Sequence, residues 1–487
     1  MLENRSFDHI FGYRPGVEGL KGTETNLLNP AQPASPANPA FKVSNSEPYS
    51  ISAGEGPSHS FNAVTTQLYG TSKPAARAVP ANNGFVMNYR QSLNEDHVAS
   101  PSADQLRVVM ECFAPGTLPA LETLADEFCL CDHWFCDVPG PTMPNRMFIH
   151  MGSSMGYVHN VWSHKFTDKT IYDLLQSSGK SWATYDFDQN EVHQFPSLRK
   201  YTQSFRSFED NFSADIKSGK LPNYSFLIPR FLSKSGPVNS MHGPYDARPA
   251  DQLVADVYNA IRAVQSVWEE TVLIVTMDEH GGFYDHVAPP SLSRAALDRY
   301  KSPPPGDTQS WVPTFAFDRL GLRVPTIIAS PWVGKGVVDS TEYHHTSVLA
   351  TVMKMFAVKG DLTNRVKTAP TFEGLFSLNQ ARTDTPSKIA SVQQVHSAHT
   401  FASGTPATQT AYGLDSMQKG MVLGADNLTK TAQEQPLGLD NLPHTQAQAA
   451  DFLRQRYDRQ FGKRARTKTS RKPKKSTASR SRASARS

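Results

Sequence analysis

The chain is 487 residues long, 38% hydrophobic and 19% charged, and its 35 Pro, 30 Gly and 26 Phe describe a loop-rich globular protein. That composition excludes a coiled coil, a repeat array and a disordered chain. The formal charge of +4 comes from one end: residues 463–487 carry eleven Lys/Arg and no acid, and the remainder holds 38 basic and 45 acidic residues.

The sequence contains no run of 18 apolar residues and opens without a signal-peptide pattern. Residues 22–57, rich in Pro, Ala, Asn and Ser, read as a long surface excursion. Short helical and loop signals alternate over 60–110, and TLPALETLADEF (117–128) carries apolar residues at helical spacing. The stretch 131–154 is dense in Pro, Gly and polar groups. TIYDLLQSSG predicts a helix ending at Gly179. SWATYDF, NYSFLIP and TVLIVTMD are short β-branched and aromatic runs, hence strands. A helix follows over 249–264, a strand within 322–332, and a helix over 345–356. Beyond about 360 the pattern weakens until AQAADFLRQRYDRQF (447–461), a last helix. Strands alternating with helices predict an α/β fold built on a mainly parallel sheet.

The tail reads as a disordered, solubilising end, with electrostatic contact to an anionic membrane or nucleic acid as the sharper alternative. Without aromatics among its bases it offers no stacking platform, so specific nucleic-acid recognition is not expected. Cys112, Cys129, Cys131 and Cys136 fit zinc spacings poorly. They read as free buried thiols or, in an exported protein, as one or two disulfides.

In an open α/β sheet, ligands gather beyond the carboxyl ends of strands. TVLIVTM runs into Asp278-Glu279-His280-Gly281-Gly282. Adjacent carboxylates at a strand end repel one another, and a divalent cation or full solvation relieves that cost. The opening Glu3-Asn4-Arg5-Ser6-Phe7-Asp8-His9 has the same character, with only Met1-Leu2 ahead of it. PTMPNRMFIHMG reads as a helix start; on residue grounds Thr142 caps it.

ENRSFDHIFG, PGPTMPNR, DEHGGFYDHVAPP and RVPTIIASPW, in this order, resemble the bacterial phosphoesterase family of non-haemolytic phospholipases C and acid phosphatases. Plant non-specific phospholipases C belong with it. The resemblance covers roughly residues 1–360 and implies an alkaline-phosphatase-like α/β core. It makes 1–360 the catalytic domain, lacking the strand expected ahead of Glu3. It leaves 361–462 as the C-terminal part of the same domain and 463–487 as the tail. It implies a divalent-metal site formed by Glu3, Asn4, Thr142, Asp278 and Glu279. Such oxygen donors suit Mg²⁺, Ca²⁺ or Mn²⁺, and carboxylates also take Zn²⁺.

The resemblance also turns Thr142 from a cap into a nucleophile, with Asn145 as a donor to a phosphate oxygen. Arg146 is expected to pair with acids rather than substrate. His59 and His242 match family histidines that face the phosphate, one of them protonating the leaving group. His280, His286 and His345 are further candidates for that role, with loop bracing the favoured reading, and His9 and His133 are expected to support the ligands from behind. The implied activity is a phospholipase C acting on glycerophospholipids such as phosphatidylcholine. The alternatives are an acid phosphatase of the same family, and an inactive homologue that binds lipid or polyanions through its tail. Family members are commonly exported.

Overall fold

The computed structural model describes every residue except 34, 52–53, 308, 393–412 and 463–487, so the basic tail lies outside the described residues. Seven short strands carry the fold: β1 (Cys129–Cys131), β2 (Trp182–Asp186), β3 (Phe205–Ser207), β4 (Tyr224–Leu227), β5 (Leu273–Thr276), β6 (Thr326–Ala329) and β7 (Val337–Asp339). They form two sheets, one of order β3-β2-β4 and one of order β7-β1-β6-β5. The first is wholly parallel, with Trp182 opposite Tyr224 and Thr184 opposite Phe205.

The expectation of a mainly parallel sheet fails in the second. Strand β6 runs antiparallel to both its neighbours, pairing Thr276 with Thr326 and Cys129 with Ile328. The connection from β5 to β6 explains the reversal. Among the described residues, 277–325 hold loops and one 3₁₀ turn, with no crossover helix to return the chain to its starting end.

Three helices matter for the site: α1 (Thr142–Met151), α2 (Arg248–Arg262) and α3 (His345–Met355). In α2, Ala250, Leu253, Val254, Val257 and Ile261 recur at helical spacing and are buried, which gives the helix its inward face. The helix Pro119–Glu127 has no cap of its own. Asp251 of α2 supplies one, accepting the N–H groups of Ala120 and Leu121 at 3.1 Å. One continuous apolar core joins Phe7 and Phe11 to Leu121, Phe128, Met147, Trp268 and Ile327.

Beyond 360 the structure supplies a helix that the sequence pattern does not reveal, Ser416–Thr429, packed on Gln446–Phe461. Their apolar faces form a separate cluster with Val422, Leu428, Leu453 and Phe461. Cys112, Cys129, Cys131 and Cys136 are free and buried, so the disulfide alternative is not realised. Among the described residues no helix is long and apolar enough to cross a membrane.

Candidate active site

Leu2 forms a parallel bridge with Met277, just past the end of β5. Its N–H donates to Thr276 O at 2.8 Å, and its carbonyl accepts from Asp278 N at 3.1 Å. This register sets Glu3 and Asn4 beside Asp278 and Glu279. Asn4 adopts a left-handed φ of 60° and donates its backbone N–H to Asp278 Oδ1. The Gly-Gly pair exists for close approach. A Cβ on Gly281 would lie 2.2 Å from Asn4 O, and one on Gly282 would lie 2.7 Å from Ser58 O. The second contact delivers the loop that carries His59.

The Asn4 amide is satisfied with its nitrogen toward Glu279 Oε1 (2.6 Å) and its oxygen toward His242 Nε2 (2.8 Å). His59 stands edge-on to His242 at 5.6 Å between ring centroids, and its Nε2 lies 3.8 Å from Glu279 Oε1. His59 is 17% exposed and opens to solvent, whereas His242 is buried. Burial, together with the neighbouring His59, pushes His242 down to about 3 and keeps it neutral.

Thr142 is the first residue of α1, and Pro141 occupies the cap position, so the capping role is not the one Thr142 plays. Its hydroxyl is fully buried and makes no hydrogen bond. One helical turn on, Arg146 shares its face. Arg146 binds Asp278 Oδ2 at 3.1 Å through Nε, Glu191 Oε1 at 2.9 Å through Nη1, and Glu3 Oε1 at 3.2 Å through Nη2. It therefore pairs with acids, as its sequence context suggests, and Glu191 is an acid that the sequence reading missed. His150 extends the same network, 3.4 Å from Glu191 and 3.0 Å from the Tyr172 hydroxyl.

Asn145 has a different task from the expected one. Its Nδ2 donates to the carbonyls of Val138, Gly140 and Pro141, and its Oδ1 accepts from Val138 N. The amide is spent on bracing the loop that presents Thr142, which leaves no proton for a phosphate. Asp137 anchors the other end of that loop. It receives Arg365 Nη1 at 3.1 Å, His344 Nδ1 at 3.0 Å and the Thr346 N–H at 3.2 Å.

Burial alone would raise the Asp137 carboxyl, but His344 and Arg365 outweigh it and hold the group down at about 2 against an ordinary 3.8. A depressed folded value contributes stability that is present above pH 3.8 and is lost as pH falls through 2. Asp137→Asn removes that contribution and leaves Arg365 buried without its partner, lowering stability at pH 7 by about 3–5 kcal/mol. Denaturant melts between pH 2 and 7 check this. The variant's stability should fall less steeply than the parent's between pH 4 and 2; parallel curves would assign the acid limb to another group.

The carboxylates of the site differ in charge state. Burial, then repulsion from Asp278, raises Glu3 well above the usual range. Burial lifts Asp278 to about 6 against the pull of Arg146. Burial also opposes ionisation of Glu279, but His59 and His280 bring it below its ordinary value. The Gly281 N–H, 2.7 Å from Glu279 Oε2, helps.

The remaining histidines mostly brace. His280 Nε2 bonds Gln67 Oε1 at 2.8 Å, and His345 Nε2 donates to Asp278 O at 2.7 Å. His9 packs between Phe113 and Phe283. His133 is not a support for the ligands; it pairs with Glu18 at a partly exposed position.

A second acidic cluster joins three of the four motifs. Asp8, Asp285 and His286 hold donor atoms within 4.8 Å of one another. Arg323 already fills the centre, 2.9 Å from both Asp8 Oδ1 and Asp285 Oδ1. With a guanidinium neutralising it, this cluster is a clamp between the opening segment, the Gly-Gly loop and the strand leading to β6.

In the primary group Arg146 likewise pairs with Glu3 and Asp278, while Glu279 lies outside its reach. Glu3, Asp278 and Glu279 lie around the Asn4 amide, whose nitrogen faces Glu279, and the unpartnered Thr142 hydroxyl is one turn of α1 from the guanidinium that binds Glu3 and Asp278. Neither Glu3 carboxylate oxygen makes a hydrogen bond.

The family match and the relatives below make the chain a hydrolase of phosphoric esters. Residues 1–359 match the model of the Phosphoesterase family, and the chain belongs to that family. Similar proteins include non-specific phospholipase C6 of Arabidopsis thaliana, 34% identical over 80% of this chain and 74% of that protein. Non-specific phospholipase C1 of the same plant is 36% identical over 81% of this chain and 73% of its own. Phospholipase C B of Mycobacterium tuberculosis (strain H37Rv) is 25% identical, covering 74% and 72% respectively. Among solved structures, an alkaline phosphatase superfamily protein from Vibrio parahaemolyticus aligns with a TM-score of 0.30 at 13% identity, over 53% of this chain and 65% of that one.

Proposed function

We propose that the protein is a phospholipase C with an alkaline-phosphatase-like core, cleaving glycerophospholipids such as phosphatidylcholine to diacylglycerol and a phosphorylated head group. The observation that carries the mechanism is the buried, unpartnered hydroxyl of Thr142 at the first turn of α1. Relatives that bear the phospholipase C name support the substrate class.

Glu3, Asn4, Thr142, Asp278 and Glu279 would hold a divalent cation. Such an ion lowers the pKa of the hydroxyl and offsets charge on the phosphate. Thr142 Oγ1, its proton given up to solvent, attacks phosphorus and forms a P–O bond while the bond to the diacylglycerol oxygen breaks. The helix N-terminus directs positive potential at the phosphate. His59, open to solvent and within 4 Å of Glu279, gives its proton to the departing alkoxide. His242, buried and neutral, orients the Asn4 amide instead. Water activated by His59 then hydrolyses the phosphothreonine, releasing phosphocholine and restoring the hydroxyl.

The competing reading within the family, a phosphomonoesterase, uses the same machinery and differs in substrate. Hydrolysis of p-nitrophenyl-phosphorylcholine beside p-nitrophenyl phosphate, with Mg²⁺, Ca²⁺, Mn²⁺ or Zn²⁺ supplied, separates them. The expected result is faster turnover of the phosphorylcholine ester, lost in chelator. Preference for the simple phosphate would transfer the assignment to a phosphatase.

A further inference from the structure

Three rings and one acid that the mechanism does not use gather next to the site. His159 meets Trp311 edge-on at 5.1 Å between ring centroids, and Tyr157 in the same manner at 5.6 Å. Tyr157 is held in turn by His164, whose Nδ1 lies 3.2 Å from its hydroxyl. Asp307 Oδ2 lies 3.6 Å from His159 Nε2, too far for a hydrogen bond. The Asp307 side chain is only 3% exposed, yet Oδ2 has no hydrogen-bond partner. Among the described residues no Lys or Arg pairs with this carboxylate. Burial lowers the His159 imidazole against the pull of Asp307, which favours the neutral ring. A buried acid without a cation is costly. Trp311, by contrast, is 53% exposed, so the group opens to solvent through it.

Its position ties it to the reacting centre. Val158, between Tyr157 and His159, and Val312, next to Trp311, share a small apolar cluster with Phe61 and Val138. Phe61 follows His59 by two residues, and Val138 belongs to the loop that presents Thr142. The Val158 carbonyl lies 3.4 Å from where a Cβ on Gly140 would stand. Asn160 Oδ1 accepts the N–H of Met143, the neighbour of Thr142, at 2.9 Å.

Resting on the phospholipase C reading, we infer that Tyr157, His159, Trp311 and Asp307 form a cage for a quaternary ammonium group, which holds the choline of the substrate while its phosphate lies at Thr142. A trimethylammonium group has no N–H to donate, and its charge is spread over its methyl groups. It gains most from aromatic faces and from an acid within Coulomb range. In an edge-to-face pair one ring keeps both faces free. Asp307 supplies the negative charge that lacks a counterpart, and it repels the phosphate, which orients the zwitterion with phosphorus away from the cage. A sugar or inositol head brings no charge to Asp307. A primary ammonium is more strongly hydrated and gives up more on leaving water. Choline is therefore the favoured head group.

Calorimetric titration with choline chloride reads the cage without any hydrolysis. The full chain is expected to bind choline saturably and more tightly than ethanolamine. Binding should weaken about tenfold or more in Trp311→Ala and in Asp307→Asn, and Trp311→Phe should keep most of it. No saturable binding to the parent, or equal binding by Trp311→Ala and the parent, overturns the inference. Should Asp307→Asn fail to fold, the exposed Trp311 carries the test. Initial rates then tie the cage to the substrate. In Trp311→Ala, kcat/KM for p-nitrophenyl-phosphorylcholine should fall about tenfold, with p-nitrophenyl phosphate unchanged. Equal losses on both esters overturn the assignment. If the parent hydrolyses neither ester, the phospholipase C reading fails, and the choline titration alone decides whether the cage exists.

Discussion

Thr142→Ala is expected to fold as the parent does and to lose hydrolysis of the phosphorylcholine ester by about four orders of magnitude or more in kcat. The two halves of this result have separate causes. The Thr142 hydroxyl is buried but makes no hydrogen bond, so its removal orphans no partner. Alanine is also the better helix former at the head of α1. Stability should therefore change by less than about 1 kcal/mol. Chemistry loses its attacking oxygen, and with it the covalent route. Thr142→Ser keeps that oxygen and sheds only the methyl group, so it should recover a measurable part of kcat. Thermal melts beside initial rates check the pair. Activity of Thr142→Ala within tenfold of the parent would remove Thr142 from the mechanism.

The parts of the fold that the sequence reveals are those where a local pattern carries the information. Helix α2 declares itself through apolar residues at helical spacing, and β5 through an unbroken apolar run ending in acids. The residues proposed to hold a metal are legible for the same reason: they lie in short motifs, four beside the end of β5 and one at the head of α1. What escapes is decided by partners distant in sequence. The antiparallel course of β6 follows from the shape of a long connection that no periodicity encodes. The helix Ser416–Thr429 carries Gly420 and Gly424, which read as breakers. Both are there because Trp162 lies against the helix, where a Cβ would meet it within 2.7 Å. Asn145 reads as a donor to a phosphate oxygen, yet its amide is spent on three carbonyls of a loop whose path is known only once folded. Glu191 is missed because nothing around it marks an active-site acid until Arg146 reaches across to it.

Arg146 is where structure and chemistry meet, and its removal carries the second large effect. Arg146→Met keeps the length and apolar stem of the side chain and deletes the charge. Glu3, Glu191 and Asp278 then stay buried without the guanidinium that binds all three. Breaking one buried pair typically costs about 3–5 kcal/mol, and here three acids share one partner. The pH dependence identifies the source. Burial pushes the Glu191 carboxyl up, but Arg146 outweighs it and holds the group at about 2 against 4.5. That depression contributes stability above pH 4.5 and loses it as pH falls through 2. In Arg146→Met the contribution is gone, burial raises Glu191 and lifts Glu3 and Asp278 further, so protonation now relieves the folded state. The gap between parent and variant should be widest near neutral pH and should narrow steadily below pH 4.5. Denaturant unfolding at pH 7, 5, 4 and 3 measures it. A gap that stays constant with pH would mean that Arg146 acts through packing against Phe231, 5.5 Å from its guanidinium carbon, and not through its charge. A divalent cation drawn to Glu3 and Asp278 should return part of the lost stability at pH 7, because it restores positive charge to the same carboxylates.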